Sequence, residues 1–99
     1  MALKERLDQD MKAAMREKAE LKLSTIRMLK SAIKYREIEL MKPLDDAGIH
    51  GVIATEVKRR RDSVEQYRAG NRADLADKEQ AEIDILQAYL PQQLTEAEV

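Results

Sequence analysis

Residues 56–94 read EVKRRRDSVEQYRAGNRADLADKEQAEIDILQAYLPQQL, and this stretch decides the fold. Ala69-Gly70-Asn71 forms a turn between two helical patterns, and Leu90-Pro91 closes the second. On a helical wheel Ile53, Val57, Val64 and Tyr67 share one stripe, and Leu75, Ile83, Leu86 and Tyr89 share another. Two charged residues interrupt these stripes, Arg60 in the first and Glu82 in the second. A hairpin turning at Gly70 sets opposite each other residues whose numbers sum to about 141, which brings Arg60 near Glu82. One basic residue of the run Lys58–Arg61 is therefore expected to be architectural, half of a structural Arg60–Glu82 ion pair.

Outward from the hairpin, the remaining chain is also helical in pattern. Leu3, Leu7, Met11, Ala14 and Met15 repeat at helical spacing, with Lys4, Glu5, Asp8, Lys12 and Arg16 on the other side. A second stripe follows at Ile26, Leu29, Ile33 and Leu40. The two stripes are out of phase by roughly 75° on a 3.6-residue wheel. That shift predicts two helices breaking near Ala19-Glu20 rather than one bent helix. Pro43 ends the second helix, and Asp45 or Asp46 is placed to cap the third. Gly48 and Gly51 weaken the first turn of the third helix by roughly 1 kcal/mol each relative to alanine. Gly70 suits a left-handed C-cap and Asn71 an N-cap. The reading is all-α: a small four-helix bundle-like domain with helices near 2–18, 20–41, 45–69 and 71–89. Thr95-Glu96-Ala97-Glu98 has the form of a capping box, so a further helix is expected to begin there.

Composition agrees with one small helical core. The 99 residues are 37% charged and 43% hydrophobic, with three tyrosines and neither Phe nor Trp. The formal net charge is -1, so there is no overall bias toward polyanions. Residues 1–44 carry eleven Lys/Arg against seven Asp/Glu, while residues 45–99 carry seven against twelve. This asymmetry permits a basic face. Cysteine is absent, which removes disulfides, thiol nucleophiles and cysteine zinc sites. The start, Met1-Ala2-Leu3-Lys4-Glu5-Arg6, holds no apolar signal core, and no stretch approaches a membrane span. A soluble cytoplasmic protein is the expectation, with no membrane association.

Catalysis finds little support in these residues. His50 is the sole histidine and lies beside Gly51 in a weak turn. Ser24, Ser31 and Ser63 have no histidine at helical spacing, and there is no glycine-rich phosphate loop. Glu79 and Glu82 share a face of the fourth helix, but a structural pairing with Arg60 accounts for them better than acid–base work. No catalytic residue, metal site or cofactor is expected. Binding is the more open question. Arg27, Lys30 and Lys34 share one flank of the second helix, and Arg61 shares a flank of the third with Arg68. Such flanks contact phosphates, although ordinary solvated helix surfaces have the same composition. Tyr35, Tyr67 and Tyr89 are too dispersed for a base-stacking cluster. Met28, Tyr35 and Ile38 lie off the main stripe of the second helix and could form an apolar surface for another chain.

The string EVKRRRDSVEQYRAGNRADL, followed by E-x-x-E-I-x-I-L-x-x-YLPQQL, resembles the YqeY proteins. So does LKERLDQDMKAAMREK with LSTIRMLKSAIKYREIEL. The resemblance covers nearly the whole chain. Arg60, Arg61, Asp62 and Ser63 match one signature, and Glu79, Glu82, Tyr89, Leu90 and Pro91 match the later one. YqeY proteins are related to the tail of GatB, a subunit of the tRNA-dependent amidotransferase. The resemblance implies a helical bundle, here residues 1–91, followed by a smaller helical domain of which 92–99 is the start. It implies an accessory tRNA-associated module that is not catalytic alone, under a family label of carbon–nitrogen ligase with glutamine as amido-N-donor. Its implied partners are tRNA or an amidotransferase or aminoacyl-tRNA synthetase-type protein. Binding is expected on Arg27, Lys30, Lys34 and Arg61; the alternative is a helical protein–protein interaction module.

Overall fold

The computed structural model describes residues 2–91. They form four helices: α1 (Leu3–Glu17), α2 (Glu20–Leu40), α3 (Asp46–Ala69) and α4 (Ala73–Gln87). No strand occurs among the described residues. The expected capping box at Thr95–Glu98 and the second domain from residue 92 lie outside them.

Each helix buries the stripe that its apolar spacing defines. Leu3 and Leu7 of α1, Ile26, Leu29 and Ile33 of α2, Ile49, Ile53, Val57 and Val64 of α3, and Ala76, Ile83 and Leu86 of α4 form one core with Tyr89. Met15 and Leu40 depart from the expected stripes and are exposed, each lying at the end of its helix and on the flank of its stripe. The α3–α4 hairpin is the most extensive interface, and α1 and α2 form the second antiparallel pair. Ion pairs at Lys4–Glu37 and Asp8–Lys30 tie the two helices of that pair together.

The turns show where side-chain identity and backbone conformation part company. Lys18 ends α1 with φ 57° and ψ 34°, a left-handed cap. The Ala19 N–H then donates to the Ala14 carbonyl at 2.9 Å, which closes the helix end. The break near Ala19 thus exists without glycine. Met41 ends α2 in the same way, at φ 57°. At the α3–α4 turn the expected left-handed residue, Gly70, has φ -90°, while Asn71 takes φ 60°. Asn tolerates this conformation better than other residues with a side chain, so it serves the turn instead of capping α4. The Arg72 N–H completes the turn by donating to the Tyr67 carbonyl at 2.8 Å.

Two aspartates start α3, and each has its own task. Asp45 accepts from the Gly48 N–H at 2.8 Å and caps α3. Asp46 accepts from the Leu3 N–H at 3.1 Å, so it satisfies a free donor at the start of α1. Gly48 does more than weaken the turn. A Cβ there would lie 2.7 Å from Leu44 Cδ2, so glycine allows Leu44 to fold over the helix start.

A clasp joins α1 to the residues that follow α4. The Tyr89 hydroxyl donates to Asp10 Oδ2 at 2.5 Å, and the Arg6 guanidinium lies 4.7 Å from the centre of the Tyr89 ring. Arg6 also donates to the Ala88 carbonyl at 3.3 Å. Burial raises the Tyr89 phenol above its ordinary range, and the Asp10 carboxylate adds to the effect.

Two measurements check these features. Lys18→Gly removes the cost of a left-handed lysine and should raise unfolding stability by up to about 1 kcal/mol in chemical denaturation. The raised Tyr89 phenol contributes stability that is complete below the unfolded value of about 10 and declines as pH rises from there. Wild type should therefore lose stability in alkaline titration by a component that Tyr89→Phe lacks.

Candidate functional site

Arg60 sits at the middle of the α3–α4 interface and is 7% exposed. Its place on the inner stripe of α3 forces its guanidinium between the helices. Nε donates to Glu82 Oε1 at 3.0 Å, and Nη1 donates to Glu56 Oε1 at 2.8 Å and to the Glu56 carbonyl at 3.4 Å. Nη2 lies 3.5 Å from Met28 Sδ of α2. Glu79 Oε2 is 4.0 Å from Nε. One cation is thus surrounded by three carboxylates, and it touches α2 through a thioether. Burial works against its charge, but hydrogen bonds to Glu56 and Glu82 outweigh that and raise the guanidinium above its ordinary value.

The sequence brought Arg60 and Glu82 together by hairpin arithmetic but passed over Glu56. The signal was present, since Glu56 lies four residues before Arg60 and shares its helix face. This cluster is structural in form: its carboxylates are turned onto arginine. Among the described residues no set of His, Asp or Glu side chains is grouped to hold a metal.

The expected basic flank divides. Lys30 is half-buried and ion-paired with Asp8, whose carboxyl is held below the usual range chiefly by that hydrogen bond. Lys30 is therefore occupied in joining α2 to α1. Arg27, Lys34 and Arg61 are exposed and have no ion-pair partner among the described residues. Lys34 lines a shallow groove between α1 and α2 together with Lys4, Asp8 and Lys30.

The off-stripe residues of α2 form a real surface. Met28 is 44% exposed, Tyr35 73% and Ile38 66%. Met28, Tyr35 and Leu40 also line a groove of about 950 Å³, closed on its other side by Val52, Thr55 and Glu56 of α3. No helix among the described residues is long and apolar enough to cross a membrane.

The family model described as Yqey-like protein matches residues 4–99. Curated relatives carry the name "Altered inheritance of mitochondria protein 41, mitochondrial". The protein of that name from Lachancea thermotolerans is 40% identical over 87 residues, which is 87% of this chain and 46% of the relative. That from Eremothecium gossypii is 41% identical over 85 residues, 85% of this chain and 46% of the relative. That from Saccharomyces cerevisiae strain YJM789 is 39% identical over 84 residues, 84% and 45% respectively. The chain spans less than half the length of these relatives. Their names correct the expectation of a cytoplasmic protein, because they are named as mitochondrial. Cysteine content does not distinguish one reducing compartment from another, so it could not carry that expectation.

The ion cluster has a direct test. Arg60→Met should cost about 3–5 kcal/mol by leaving buried carboxylates without a partner. Combining it with Glu82→Leu should recover part of the loss, with a coupling of about 0.5–3 kcal/mol in a double-mutant cycle read by denaturation. Additive losses would show that the two side chains do not act as a pair.

Proposed function

The chain belongs to the YqeY-like family, and from that premise we propose that it is an accessory binding module that does no chemistry alone. It is akin to the tail of the tRNA-dependent amidotransferase. It would serve carbon–nitrogen ligase chemistry, with glutamine as amido-N-donor, that is carried out by other polypeptide domains. The observation that carries a binding role is the outer side of α2, where Tyr35 and Ile38 are 73% and 66% exposed beside an open groove. Apolar groups grouped on so charged a surface favour a site kept for a partner. The partner on this reading is a protein of amidotransferase or aminoacyl-tRNA synthetase type.

A second reading is direct contact with tRNA. It is favoured by Arg27, Lys34 and Arg61, which are exposed and carry no ion pair among the described residues. Phosphate contacts would be made by these three, with Lys30 engaged elsewhere. The overall charge of -1 weighs against a strong polyanion site.

Labelled tRNA titrated across salt separates the two. On the protein-partner reading, tRNA retention is weak and Arg27→Glu, Lys34→Glu and Arg61→Glu change neither affinity nor salt slope. If those reversals abolish tight binding and flatten the slope by about 0.9 for each lost phosphate contact, tRNA is the partner instead.

A further inference from the structure

The outward side of α2 carries a seam with coiled-coil spacing. Leu21, Ser24, Met28, Ser31, Tyr35 and Ile38 follow one another at intervals of three and four. They lie opposite the buried set Ile26, Leu29 and Ile33. Leu21 is half-buried and the other five are exposed. None of the six carries a charge, in a chain that is 37% charged. Ser24 turns its hydroxyl inward to donate to the Leu21 carbonyl at 3.1 Å, so this position offers little polarity outward. Large and small residues alternate along the seam: Leu21, Met28 and Tyr35 alternate with Ser24 and Ser31. Such alternation makes knobs and recesses for one more helix.

The charges beside the seam select the partner. On the side toward α3 the charges are paired with each other, Arg36 with Glu39 and Arg59 with Glu56; on the opposite edge Arg27 and Lys34 each precede a large seam residue. Both are exposed and without an ion pair among the described residues. Resting on the protein-partner reading above, we propose that this seam receives an amphipathic helix of another protein, with an apolar stripe flanked by acidic residues. A second copy of this chain fits less well. In the antiparallel register that sets Tyr35 opposite Ser24 and Met28 opposite Ser31, Arg27 of one copy faces Lys34 of the other. In the parallel register, serine meets serine and leaves recesses unfilled. An acidic edge removes the like-charge conflict and keeps the fit.

The test uses two designed helical peptides with the same leucine–alanine seam, one flanked by glutamate and one by lysine. Binding to the 99-residue chain is read by fluorescence anisotropy at low and moderate salt. The glutamate peptide should bind about tenfold or more tightly than the lysine peptide. Tyr35→Glu should abolish this binding, and Arg27→Glu with Lys34→Glu should invert the preference. All three residues are exposed, and unchanged circular dichroism verifies that the variants fold. If both peptides bind equally and Tyr35→Glu abolishes both, the protein-partner reading stands and the acidic partner is wrong. If neither peptide binds, both ideas fall. A doubled mass in sedimentation that Tyr35→Glu returns to monomer would assign the seam to a second copy and overturn the proposal. Tight tRNA binding that is lost on charge reversal and kept in Tyr35→Glu would assign the basic edge to RNA and overturn it as well.

Discussion

Arg60 is the point through which three helices are held in register. Its guanidinium draws on Glu56 of its own helix, Glu82 and Glu79 of α4, and Met28 of α2. Taking an arginine out of water is costly, and the cost is met only because its donors are turned onto acceptors. Among the described residues no buried side-chain nitrogen or oxygen lacks a hydrogen-bond partner. The carboxylates exceed the cation in number, so the cluster stays sensitive to loss of the arginine.

Several of the other cations at the surface have structural tasks. Lys4 and Lys30 join α1 to α2, and Arg6 joins the Tyr89 clasp. Arg27, Lys34 and Arg61 carry no such duty among the described residues. The outer side of α2 follows from the same economy of contacts. One side of the helix is buried by its neighbours, and the exposed side carries an uncharged seam between charged edges. The exposed side mixes large apolar residues with serines, so it resembles neither a buried stripe nor the charged surface around it.

Much of the architecture was legible in the sequence for physical reasons. Helical spacing located all four stripes, and the distance of Arg60 and Glu82 from Gly70 located their meeting. A phase shift near Ala19 located a break that no glycine marks. The turns were less legible. Lys18 and Met41 adopt left-handed conformations that their identities do not announce, and Asn71 does what Gly70 was expected to do. Tyr89 and Asp10 are 79 residues apart and meet only through the tertiary fold. The engagement of Lys30 by Asp8 was hidden for the same reason. In the site, Glu56 could have been read from its spacing to Arg60. The uncharged α2 seam could have been read from the run between Leu21 and Ile38, once polar serines were allowed to count as recesses. Compartment was not legible, because the absence of cysteine is shared by proteins of several compartments.

Arg60 is locked inside the hairpin by its hydrogen bonds to Glu56 and Glu82. Hydrogen exchange of its Nε–H, followed by nuclear magnetic resonance, tests this most directly. The cluster predicts a resolved Arg60 Nε–H that exchanges as slowly as the backbone amides of Val57 and Ile83. An Arg60 Nε–H exchanging as fast as that of the exposed Arg59 would show that the guanidinium is not held between the helices.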